Sequence, residues 1–131
     1  MTALFKVVNA IACEHLVQGQ GNKYTIINTY SGDILVAEFP ARIPLSFFIE
    51  LKPSKIGKFP IHLKISVGRK VAVQGLAEAL FEEGKMAIIA MPDGVMLFEN
   101  PATLKVSIGA EGEKLVTVLR REVRLADQAT T

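Results

Sequence analysis

Ile61-His62-Leu63-Lys64-Ile65-Ser66-Val67 is the stretch whose reading decides the fold. Its apolar residues fall on every second position with polar residues between them, which is the period of a strand that turns one face to a core and one to water. A helix would need them three or four apart. Outward from this segment the same period returns. Leu104, Val106 and Ile108 oppose Thr103, Lys105 and Ser107, and Ile43, Leu45, Phe47, Ile49 and Leu51 oppose Pro44, Ser46, Phe48 and Glu50. Turn residues separate the segments: Gly19 to Asn22, Ser31-Gly32-Asp33, Pro53 to Gly57, Gly68-Arg69, Glu82-Glu83-Gly84, Pro92-Asp93-Gly94, Asn100-Pro101 and Gly109 to Gly112. Turns this frequent leave little room for crossover helices. The expected fold is all-β, an antiparallel two-sheet β-sandwich of about eight or nine strands.

Three stretches are less regular. Leu4 to Val17 and Tyr24 to Tyr30 are apolar on both faces, so each is expected to be a central strand or to be covered on both sides. Leu76 to Glu83 is built of strong helix formers and is followed by Gly84, yet Ala77, Ala79 and Phe81 alternate with Glu78, Leu80 and Glu82; a strand is preferred over a short helix. In Leu115 to Leu125 the apolar face changes near Leu119, which predicts a bulge or a change of partner there.

The chain has 131 residues, which suits one hydrophobic core; residues 1–126 are read as a single domain and 127–131 as a frayed polar tail. Half of the residues are AVILMFWYC. Counted with glycine, the apolar share exceeds the usual ~45–50%, so some surface is expected to meet another copy. Fifteen Lys+Arg against thirteen Asp+Glu give a net charge of +2. The charges are dispersed, and phosphate binding would require a concentrated patch, so no nucleic-acid partner is expected. The one local cluster, Arg120, Arg121 and Arg124 beside Lys114 and Glu122, reads as a solvated face or a rim of ion pairs. Cys13 is the only cysteine and excludes an internal disulfide. No signal-peptide pattern and no apolar run near the ~20 residues of a membrane helix appear. The expectation is a cytoplasmic protein without a membrane partner.

Cys13-Glu14-His15 is the most chemically suggestive cluster, because on a strand Cys13 and His15 project from one face as two metal ligands would. With His62 they are the only candidates for a metal or small-molecule site, and zinc needs three or four such ligands. The plainer reading is a buried thiol and a strand-end histidine, so no metal and no cofactor are expected. Strand neighbours two apart project in parallel, which does not bring an imidazole onto the sulfur of a nucleophile. No nucleophile elbow, phosphate loop or dinucleotide fingerprint follows a strand. An enzyme is not expected. Carbohydrate stacking is disfavoured by the absence of Trp and by only two tyrosines, Tyr24 and Tyr30. Tyr30-Ser31-Gly32-Asp33 and the proline-bracketed Arg42 are loops or extended connections in which Tyr30, Asp33 and Arg42 are the candidates for an interaction surface. Pro40 and Pro44 would protect a sheet edge there.

A strand ending in Cys13-Glu14, then Lys23-Tyr24-Thr25-Ile26-Ile27-Asn28-Thr29-Tyr30, Asp33-Ile34 and Phe39-Pro40-Ala41-Arg42-Ile43-Pro44, with Phe98-Glu99-Asn100-Pro101 and Gly112-Glu113-Lys114-Leu115 later, resembles a group of small bacterial proteins of unknown function. The resemblance implies an immunoglobulin-like β-sandwich and a bacterial origin, and it carries no catalytic residue. The immunoglobulin pair of cysteines and core tryptophan are absent. The functional expectation is a non-enzymatic interaction or assembly module that forms a homo-oligomer or holds a protein partner. The alternative is a small-molecule or metal-binding protein using Cys13, His15 and His62.

Overall fold

A computed structural model describes residues 3–21 and 23–126; the tail at 127–131 lies outside the described residues. Among the described residues nine strands follow one another: β1 Phe5–Gln18, β2 Tyr24–Thr29, β3 Ile34–Val36, β4 Ala41–Pro53, β5 Gly57–Val67, β6 Lys70–Phe81, β7 Ala87–Phe98, β8 Ala102–Ala110 and β9 Val116–Leu125. Sheet A has four strands in the order β2-β1-β4-β7, and sheet B has five in the order β3-β9-β8-β5-β6. The protein is therefore all-β and sandwich-like, as its alternation predicts. The immunoglobulin strand arrangement is not shown by this order.

The three alternating segments supply the core. Ile43, Leu45, Phe47, Ile49 and Leu51 of sheet A lie in one buried cluster with Ile61, Leu63, Ile65, Leu104, Val106 and Ile108 of sheet B. Each buried aliphatic side chain contributes about 1.5–3 kcal/mol relative to exposure. Leu76 to Phe81 completes β6 as a strand, because register against β5 places Ala77, Ala79 and Phe81 on the core face opposite Ile61, Phe59 and Gly57. The bulge near Leu119 is present: Val106 pairs with Leu119 and Ser107 with Thr117, leaving Val118 as the extra residue.

Three expectations are corrected. The sandwich is not wholly antiparallel, since the three-residue β3 runs parallel to β9, with Ile34 opposite Val123 and Val36 opposite Leu125. β2 is an edge strand and not a central one. Its apolar residues Tyr24 and Ile26 serve a second, smaller cluster with Cys13, Leu16 and Phe48, and the Tyr24 ring stands edge-on to Phe48 at 5.3 Å. Lastly, the proline-bracketed Arg42 is not in a connection: Ala41 opens β4, an inner strand of sheet A. Pro44 is tolerated there because β4 pairs with β7 from Ala41 onward but meets β1 only from Ser46. Its missing N–H is thus on a locally unpaired stretch.

Candidate functional site: an unprotected sheet edge

The candidate ligands do not converge. Cys13 is fully buried in β1, where its thiol donates to the His15 and Ser46 carbonyls, and burial pushes its pKa up. His15 is exposed on the same strand. His62 is on β5 of the other sheet, between core-facing Ile61 and Leu63, so it points away from the core and pairs with Gln74 at 2.9 Å. The sandwich core separates it from Cys13, and no group of three or more metal-ligating side chains occurs among the described residues.

Of the interaction candidates, Tyr30 and Asp33 are engaged within the fold. Asp33 accepts from Arg124 Nε at 2.8 Å, which fastens the β3 approach to β9. Arg120 pairs with Glu122 at 3.6 Å, so two of the three clustered arginines make ion pairs, as a rim would. The third, Arg121, donates to the Tyr30 carbonyl at 2.6 Å. Arg42 is exposed on β4 opposite Leu97.

Tyr30 is a latch between elements. Its N–H donates to the Ala12 carbonyl, its hydroxyl donates to the Pro44 carbonyl at 3.0 Å, and its carbonyl receives Arg121. Burial, followed by the nearby Glu14 and Cys13, pushes the phenol up to about 12. The unfolded phenol ionises near ~10. A folded pKa above the unfolded one means that the neutral phenol's contribution is complete below the unfolded value and is lost as pH rises through the folded one. We expect the urea midpoint to be insensitive to this group up to pH ~10 and to fall between pH ~10 and ~12. Tyr30→Phe should remove that component of the fall and cost about 0.5–1.5 kcal/mol at neutral pH. An unchanged alkaline slope in the variant would refute the assignment.

What the folded chain leaves open is a sheet edge. An edge strand presents unpaired backbone N–H and C=O groups, and proteins shorten, kink or cover such edges to prevent adventitious pairing. Of the four edge strands, β3 has three residues and β2 six. β7 has twelve but is interrupted at Pro92-Asp93-Gly94, where Asp93 has φ 56°, its N–H turns to Ser46 Oγ at 3.0 Å, and the register with β4 slips. β6 also has twelve residues, Lys70-Val-Ala-Val-Gln-Gly-Leu-Ala-Glu-Ala-Leu-Phe81, without proline. Its one register shift lies near its start, between Ile65 and Ser66 of the partner strand.

β6 is also apolar where it is bare. Val71, Val73, Leu76 and Leu80 are exposed, with Val73 at 52% and Leu76 at 57%. Val73 belongs to the core-facing side, opposite Ile65, yet sheet A does not reach over it. A groove of about 600 Å³ remains between this end of β6 and the end of β7, lined by Val67, Val73, Val95, Met96 and Phe98 among others. Charge is divided along the strand: Arg69 and Lys70 stand at its start, Glu78, Glu82 and Glu83 toward its end. Lys58 approaches Glu78 at 3.9 Å and Lys85 approaches Glu82 at 3.1 Å, both as exposed surface pairs.

Nothing in the β6 sequence marks it as an edge. Edge position depends on strand order, which composition does not encode; the available signal was the coincidence of a long proline-free strand with alternation broken at Val71-Ala72-Val73. The chain as a whole matches no protein family, no curated protein and no solved structure.

Proposed function

We propose that this chain is a non-enzymatic protein-interaction and assembly module of the bacterial cytoplasm, which joins its partner by adding a strand to the free edge of β6. Strand addition gives affinity through main-chain hydrogen bonds and specificity through alternate side chains. The observation that carries this reading is the proline-free twelve-residue β6 with exposed Val71, Val73, Leu76 and Leu80, in a fold whose other edges are short or kinked. The kinship with immunoglobulin-like sandwiches belongs to the same reading and is supported by the two facing sheets. No cofactor, nucleic acid or membrane enters it.

Sedimentation velocity over about 1 to 500 μM tests the assembly. The weight-average mass should rise with concentration. Leu76→Lys, at an exposed site that the fold does not need, should weaken association at least about tenfold, equivalent to ~1.4 kcal/mol. A monomer mass at every concentration overturns the proposal.

A further inference from the structure

We infer that the partner of β6 is β6 of a second copy, paired antiparallel about a two-fold axis at Leu76, so that two five-stranded sheets become one of ten strands. The inference rests on the assembly reading and adds its partner and register. Its basis is the charge polarity of the strand together with the turns that flank it. A strand with cations at one end and anions at the other repels itself in parallel and complements itself antiparallel.

In antiparallel self-pairing the numbers of opposed residues have a constant sum between bulges, so the register can be examined residue by residue. With Leu76 opposite its own copy this holds from Val73 to Ala79; the extra residue at Ala72 shifts the count by one beyond it, so that Val71 comes opposite Leu80 and Arg69 opposite Glu82, with Lys70 and Glu83 beside that pair, and the two-fold repeats the arrangement at the other end. Arg69, Lys70 and Glu83 make no ion pair among the described residues, and Lys85 holds Glu82 only at the surface. Such surface pairs add ~0.2–1 kcal/mol each and chiefly select register.

The same register arranges the rest of the strand. On the outward face Leu76 meets Leu76 of the second copy, and Gln74 comes opposite Glu78, whose carboxylate can accept from the amide. On the core side Val73 comes opposite Ala79 and Gly75 opposite Ala77, which covers the valine that sheet A leaves bare. Lys58 and His62 of β5 lie one strand further in, opposite Leu80 and Leu76, and do not obstruct the approach.

Two measurements test the register, each with circular dichroism to confirm folding. In a Cys13→Ala background, Leu76→Cys places each thiol opposite its own copy. Antiparallel partners have Cα atoms about 4.5–5.5 Å apart, within disulfide reach. Mild oxidation should yield a covalent dimer, whereas Val95→Cys on β7 should not. Second, Arg69→Glu with Lys70→Glu should weaken association about tenfold or more, and adding Glu82→Lys with Glu83→Lys should restore it to within about threefold. Cross-linking at position 76 with rescue by the fourfold swap confirms the inference. Concentration-dependent association with neither cross-link nor rescue overturns it and leaves assembly through another surface. A strict monomer overturns both.

Discussion

Phe81→Ala is expected to cost about 3–5 kcal/mol of stability, a larger loss than any other single substitution in this fold that we predict. Phe81 is completely buried at the end of β6. Its ring meets Phe59 of β5 at 5.4 Å and, across the sandwich, Phe5 of β1 edge-on at 6.2 Å. It is thus an aromatic tie between sheets, and each such contact adds roughly 0.5–1.5 kcal/mol beyond area burial. Truncation leaves a cavity beside the Phe59 ring, which packs over Gly57 so closely that a Cβ added there would lie 3.3 Å from it. Urea denaturation should show a lower midpoint with an unchanged slope. A loss under ~1 kcal/mol would show that the site collapses freely and that the tie is unimportant.

Gly94→Ala should be the second most damaging change, at about 1–3 kcal/mol despite adding one methyl. An added Cβ would lie 2.7 Å from the Leu45 carbonyl oxygen, and backbone cannot swing aside as a flexible side chain would. The position is where β7 rejoins β4 after the slip in register, with Asp93 held by buried Ser46. Displacing it disturbs that hydrogen bond and the pairing on either side. Gly32→Ala, with nothing within 4 Å, is the control and should change stability by less than ~0.5 kcal/mol. Equal effects at the two glycines would show that close approach at Gly94 does not matter.

The alternating segments were legible because one face of each is buried and a one-residue slip would expose it. That argument works for β4, β5 and β8, whose core residues are those the period selects. It misplaces β2, because Tyr24 and Ile26 are needed by a cluster outside the main core, and apolar content alone does not distinguish a central strand from an edge strand with its own small cluster. It also misses the parallel pair, since Ile34 to Val36 is too short to show a period and its partner lies far away in sequence. The site was hidden for a related reason. Cys13, His15 and His62 are conspicuous by chemistry yet fall on different sheets, whereas β6 is conspicuous only once its neighbours are known.

The parallel β3–β9 contact also has a consequence in time. Arg121 reaches Tyr30 and Arg124 reaches Asp33 across 91 residues of chain, so an early part of the protein is fastened by the much later β9. Loop closure over such a span is slow to form and belongs with the millisecond-to-second folding of β-rich topologies. On the ribosome, β3 must wait with Ile34 uncovered until β9 has emerged. Meanwhile the β5–β6 hairpin, whose pairing is local, can form first. The edge that a second copy would meet is therefore available before the opposite edge of the same sheet has closed.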